Sequence, residues 1–152
     1  LAGEEVIQHV GEKFYIFRTS WVYSDIGHNF YLTMKRLSKK RDEIRVVSDQ
    51  FGVPTPSYFI AKHTQKMIKQ LSSKNTGIYH LVPDGQCSWC EFAKQIITKT
   101  TPTFDINNIL PVDTDQYPTN AKRPKSSVLD NSLIKTVFML KFDDWKTELR
   151  KL

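Results

Sequence analysis

Stretches suited to buried strands alternate along this chain with stretches that have the periodicity of amphipathic helices, and that alternation points to an α/β fold. Phe14-Tyr15-Ile16-Phe17 is a short apolar, aromatic run, and Arg45-Val46-Val47 and Ile78 to Val82 read as further strands. Leu1 to Val10 has helical composition, with Val6, Ile7 and Val10 on one face and Gly11 at its C-terminal cap. No Ser, Thr, Asp or Asn precedes that helix, so the sequence is expected to start inside an element. Phe30, Met34 and Leu37 recur at i, i+4 and i+7 behind Asn29, which is placed to cap them. Ser57 is expected to cap a helix with Ile60, Thr64, Met67, Ile68 and Leu71 on one face. Ser88-Trp89-Cys90-Glu91 has the spacing of a capping box, in which hydroxyl and carboxylate each satisfy the other residue's amide, ahead of a stripe of Phe92, Ala93, Ile96 and Ile97. Residues 102–127 hold four of the seven prolines and read as a long ordered loop around a short strand at Ile109 and Leu110. Two short helices close the chain, one after Asp130 and one from Asp143. Only two strands look like members of one parallel sheet, too few for a free-standing doubly wound domain, so an incomplete sheet is expected.

With 152 residues, 39% of them hydrophobic, the chain can bury one core. No run approaches the length of a membrane helix and no basic-then-apolar leader opens the chain, so a cytoplasmic protein without a membrane partner is expected. Two cysteines, Cys87 and Cys90, cannot form a disulfide framework, and one C-x-x-C pair supplies only two zinc ligands. The histidines at 9, 28, 63 and 80 are scattered, so no metal site is expected. Lys and Arg number 22 against 16 Asp and Glu, a net charge of +6 that is compatible with an anionic partner. The cluster Lys35, Arg36, Lys39, Lys40 and Arg41, however, falls where a helix end favours solvated cations, and no nucleic-acid motif accompanies it.

Six ordered blocks carry more information: L-A-G-E at Leu1, R-T-S-W-V-Y at Arg18, D-Q-F-G-V-P-T at Asp49, G-I-Y-H-L at Gly77, S-W-C-E-F-A at Ser88 and K-R-P-K-S-S-V-L-D at Lys122. Together they resemble the dTDP-4-dehydrorhamnose reductases, members of the extended short-chain dehydrogenase/reductases. The resemblance implies that residues 1–152 form a single C-terminal, substrate-binding portion of an NAD(P)-binding Rossmann-type enzyme, with the N-terminal dinucleotide-binding portion absent from this chain. It also implies reduction of dTDP-4-dehydro-L-rhamnose to dTDP-L-rhamnose with NADPH, or NADH, in the complete enzyme. The partners implied are the dTDP-sugar, the N-terminal half and a second copy in a homodimer. The six glycines at 3, 11, 27, 52, 77 and 85 do not form a Gly-rich phosphate loop. In the family the catalytic Tyr-x-x-x-Lys lies immediately before L-A-G-E. No catalytic residue, no substitute pair in a comparable helix and no cofactor binding are therefore expected here, and the chain alone is expected to be inactive.

The resemblance assigns Trp21 to the substrate, where an indole at a strand exit can stack on a sugar face; without it, core packing is the ordinary role. Asn29 is implied to meet the nucleotide diphosphate through its amide, alongside helix capping. Arg123 is implied as a diphosphate clamp, because a guanidinium offers paired donors, where a lone loop arginine would be a surface charge. Gln50 is implied to contact the nucleotide, with loop hydrogen bonding as its other role. Two departures stand out: Ser24 where a glycine usually follows W-V-Y, and apolar residues at Val137 to Lys141 in place of a Gly-containing turn. A non-catalytic interaction subunit is the competing reading, since the regulatory subunit of methionine adenosyltransferase has a similar fold and a related R-P-x-x-x-x-L-D segment, although not R-T-S-W-V-Y.

Overall fold

The computed structural model describes residues 1–117 and 123–152. In chain order the elements are α1 (Ala2–Val10), β1 (Tyr15–Arg18), β2 (Val22–Tyr23), α2 (Phe30–Leu37), β3 (Ile44–Val47), β4 (Phe51–Gly52), β5 (Thr55–Pro56), α3 (Ser57–Ile68), β6 (Gly77–His80), β7 (Cys87–Ser88), α4 (Trp89–Thr100), β8 (Ile109–Val112), α5 (Ser132–Val137) and α6 (Trp145–Arg150). The expected alternation is therefore present, with four strands of two residues that periodicity does not reveal. The strands form four separate ladders: β1 with β6, β2 with β5 and β3 with β8 are parallel, and β4 with β7 is antiparallel. Tyr15 is level with Gly77, and Ile44 with Ile109. The short strand expected at Ile109 and Leu110 is thus a full partner of β3.

Local chemistry explains several boundaries. Asn29 caps α2, its Oδ1 accepting from the Leu32 amide at 3.1 Å. The capping box at α4 is half formed. Ser88 Oγ accepts from the Glu91 amide at 3.1 Å, while the Glu91 carboxylate turns outward to Lys146 at 3.2 Å. Ser57 is not a cap: Pro56, held at φ −71°, takes the cap position, and Ser57 becomes the first helical residue. Gly11 ends α1 with φ −97°, an ordinary extended conformation, but a Cβ there would lie 2.7 Å from the Ile7 carbonyl oxygen. The apolar turn after α5 keeps the backbone that a glycine would supply, because Met139 sits at φ 49°. Ser24 closes its own turn, its Oγ donating to the Ile26 carbonyl at 2.7 Å.

Two packed clusters organise the interior. In the larger, Phe92, Ala93, Ile96 and Ile97 of α4 meet Met34 of α2, Ile44 and Val46 of β3, Ile109 of β8 and Trp145 and Leu149 of α6. The smaller gathers Phe59 and Met67 of α3 with Tyr79, Leu81, Ile134 and Phe138. The stripe expected on α3 is displaced accordingly: Phe59, His63 and Met67 are buried, while Ile68 is 61% exposed. His63 lies between Phe59 and Phe142, at 4.4 and 4.7 Å between ring centroids, so it behaves as a flat apolar ring in the neutral state.

Helix α1 stands apart from both clusters. It buries no residue, and Val6 and Val10 are 60% and 78% exposed. A paired ion contact ties it down: Arg18 of β1 donates through Nε and Nη2 to the two carboxylate oxygens of Glu4, at 2.9 and 2.6 Å. That pairing holds the Glu4 carboxyl below its usual range. None of the described helices is long and apolar enough to cross a membrane.

Candidate functional site

A cavity of about 1030 Å³ opens where the exit of β1, the length of β3 and Phe51 of β4 meet α2 and the start of α4. Ligands of α/β proteins bind beyond strand ends, because there the main chain leaves the ladder and presents side chains around a gap. Thr19, Ser20 and Trp21, at the exit of β1, line one wall. Two cross-links fix it against the D-Q-F-G-V-P-T block: Ser20 Oγ donates to the Val53 carbonyl at 2.9 Å, and the Thr55 amide donates to the Trp21 carbonyl at 3.2 Å.

Trp21 adopts φ 44°, a left-handed conformation that costs a non-glycine residue about 1–2 kcal/mol and is retained only where surrounding contacts compel it. Trp89, the first residue of α4, stacks on it with 3.6 Å between ring centroids and 11° between planes. Phe30 leans on Trp89 at 4.6 Å, joining the pair to the core through Phe92. On the other side Gly52 presses so close that a Cβ would stand 2.3 Å from Trp21 Cε2. Trp89 thus stacks on one face of the indole, and Gly52 closes on the ring at Cε2, Nε1 and Cζ2.

The other three expected residues divide. Gln50 lines the cavity, and its Nε2 also donates to Thr114 Oγ1 at 3.1 Å. Thr114 in turn donates Oγ1–H to Asp49 at 2.6 Å, a bond that lowers the Asp49 pKa and draws the 114 loop toward the site. Arg123 lines the mouth and is exposed. It is brought there by the segment that follows it: the Phe51 amide donates to the Lys125 carbonyl and the Ser127 amide to the Phe51 carbonyl, both at 2.8 Å, so these residues run beside β4. Residues 118–122, the last of which opens the K-R-P-K-S-S-V-L-D block, lie outside the described residues. Asn29 is not among the lining residues. Its Nδ2 donates to the Ser24 and Ile26 carbonyls at 3.0 and 3.1 Å, so the amide is committed to the turn before α2. Trp89, Gly52 and Phe51 are functional candidates that the sequence reading left out. A large aromatic at the start of the α4 stripe was the signal available for Trp89.

Contrary to expectation, the Tyr-x-x-x-Lys spacing does occur on helices, at Tyr31–Lys35 and Tyr58–Lys62. A proton-donating tyrosine needs its pKa lowered, and burial raises both of these. Neither lines the cavity, and the Tyr58 hydroxyl is engaged by Glu148. The Cys87 and Cys90 thiols are buried, and desolvation pushes both above their ordinary range, which disfavours thiolate chemistry. Among the described residues no group of His, Cys, Asp or Glu could hold a metal ion. The glycines with positive φ are separate in the fold, Gly27 and Gly85 in bends and Gly77 at the start of β6, and do not combine into a cradle for a dinucleotide pyrophosphate.

Comparison with known proteins matches this arrangement to a described family. The family model of the RmlD substrate binding domain matches residues 1–152. The dTDP-4-dehydrorhamnose reductase of Escherichia coli (strain K12) is 37% identical over 157 aligned residues, covering 100% of this chain and 52% of that protein. A dTDP-4-dehydrorhamnose reductase from Bacillus anthracis, solved in complex with NADP, superposes with a TM-score of 0.89 at 37% identity, over 99% of this chain and 51% of that one. The orthologous reductase from Clostridium acetobutylicum gives 0.88 at 38% identity, over 98% and 51%. The chain spans about half the length of the relatives it matches.

Proposed function

Because this chain belongs to the RmlD substrate binding domain family along its whole length, we propose that it forms the nucleotide-sugar-binding, C-terminal portion of an enzyme that reduces dTDP-4-dehydro-L-rhamnose to dTDP-L-rhamnose with NADPH. The observation that carries this reading is the cavity bounded by the exit of β1, by β3 and by Phe51 of β4. Its volume of about 1030 Å³ suits a ligand the size of a nucleotide sugar. Trp21, Trp89 and Phe30 give it an apolar wall that excludes water from the sugar, while Arg123 at the mouth offers the paired donors a diphosphate accepts. Gln50 supplies an amide between these two regions, on a loop held by Asp49 and Thr114.

Within this reading the chain binds and orients the dTDP-sugar, while the hydride comes from a dinucleotide held by residues beyond this chain. The complex of the Bacillus anthracis relative with NADP favours NADPH as that donor. The chain by itself is inactive, since its tyrosine–lysine spacings lie on buried or engaged hydroxyls away from the cavity. The test is direct: the full-length protein should oxidise NADPH in the presence of dTDP-4-dehydro-L-rhamnose, and the purified 152-residue chain should not. Turnover by the chain alone, or none by the full-length protein, refutes the reading.

A further inference from the structure

We infer that Gly52 and Trp89 form a clamp that holds Trp21 edge-on to the cavity, so that this tryptophan serves a sugar nucleotide as an indole N–H donor and rim rather than as a stacking platform. The inference rests on the proposed function for the identity of the ligand, but the clamp itself is argued from geometry. A Cβ built on Gly52 would lie 2.3 Å from Trp21 Cε2, 2.6 Å from Nε1 and 2.7 Å from Cζ2. An approach in the ring plane would bring it nearer the flanking atoms Nε1 and Cζ2 than the recessed Cε2. The reverse order places Gly52 over the face of the ring. Trp89 lies 3.6 Å away and nearly parallel, so it covers a face as well. Two groups at van der Waals distance cannot share one face, which leaves Gly52 and Trp89 on opposite sides.

What remains for a ligand is the perimeter. Trp21 Nε1–H has no acceptor among the described residues, and the buried side-chain atoms without partners are elsewhere, at Tyr23 and His63. Trp21 still lines the cavity. An N–H at its edge recognises an acceptor oxygen, a ring hydroxyl or the keto group of a sugar, which a face-stacked indole would not read. The left-handed φ of Trp21 is the local cost of holding that edge in place, and it is met by a ring stack on one side and an absent side chain on the other. Gly52 is thus required for the missing Cβ, not for backbone freedom. Gly52 and Trp89 act as positioning residues, through Trp21.

The experiment uses the full-length protein. A closely stacked indole pair gives an exciton couplet in circular dichroism, and this couplet should be present in the wild type, lost in Trp89→Leu and Trp21→Phe, and lost or inverted in Gly52→Ala. Binding of dTDP-rhamnose should weaken by roughly fivefold or more in Gly52→Ala and Trp89→Leu, and binding of dTDP alone should change by less than twofold, on the scale of one hydrogen bond. Edge and face are separated by Trp21→Phe, which keeps a ring but has no N–H: it should lose as much affinity for dTDP-rhamnose as Trp21→Leu. If Gly52→Ala does not fold, Trp89→Phe, which keeps an apolar ring, supplies the second positioning variant. A wild type without the couplet overturns the clamp, and a Trp21→Phe that retains most of the affinity lost by Trp21→Leu overturns the edge-on donor. A wild type that shows the couplet but binds no dTDP-sugar refutes the proposed function instead.

Discussion

Replacing Met139 by glycine should stabilise the protein, although every contact Met139 makes is lost. The residue follows α5 at the position where helices commonly turn left-handed, and its φ is 49°. The Phe138 amide donates to the Ile134 carbonyl at 3.1 Å and the Leu140 amide to the Lys135 carbonyl at 3.0 Å, so the surrounding hydrogen bonds demand this conformation. An L-residue there costs about 1–2 kcal/mol. Glycine removes that strain but gives back about 0.5–1 kcal/mol through the greater freedom of the unfolded chain. Because Met139 is 85% exposed, little burial is sacrificed. The net gain is about 0.5–1 kcal/mol, which for a chain of this size raises Tm by roughly 1–4 °C. Urea unfolding of Met139→Gly should show a higher midpoint with an unchanged slope. Met139→Ala, which keeps the Cβ, should show no comparable gain. An alanine variant as stable as the glycine variant, or a lower midpoint for glycine, would refute the strain argument.

Asn29→Ala removes the cap of α2 and two donors to the preceding turn, and should cost about 1–2 kcal/mol in denaturation, with Asn29→Asp recovering the cap bond only. Burial lowers the His63 pKa from 6.5 to about 4, so the unfolded chain takes up this proton first. Stability should therefore be complete above pH 6.5 and decline as pH falls toward 4, with His63→Leu flattening that part of the profile. The carboxylates held low by hydrogen bonds, Asp49 and Asp130 among them, add their losses only below that window. In the full-length protein, Trp21→Ala should lower kcat/KM for the dTDP-sugar at least several-fold, on the scale of one lost hydrogen bond, and leave NADPH binding nearly unchanged; unaltered kinetics in a folded variant would make Trp21 core packing alone.

What the sequence disclosed was the part governed by neighbours in the chain. Asn29 and Ser88 cap helices because a short polar side chain reaches an amide three residues on, and that spacing is visible in the letters. The stripe of α4 was equally plain, since Phe92, Ala93, Ile96 and Ile97 repeat on one face and are all buried. The stripe of α3 was misread because His63 counts as polar in any periodicity, whereas Phe59 and Phe142 make its position an aromatic slot. Ser57 looked like a cap until the rigid Pro56 took the place before it. At the site, Trp21, Gln50 and Arg123 were named from resemblance and do line one cavity. The contacts that shape it were hidden, because Gly52 meets Trp21 and Thr114 meets Gln50 only after distant segments come together.

The four ladders also set the order in which this chain can become itself. Their partners are non-local: β2 pairs 33 residues downstream and β3 pairs 65 residues downstream, so no ladder closes by local collapse. At a synthesis rate of about 5–20 residues per second, β3 waits about 3–13 s on the ribosome before β8 has been made. Throughout that interval Ile44 and Val46, sealed in the finished interior, are open to any apolar surface that reaches the nascent chain first.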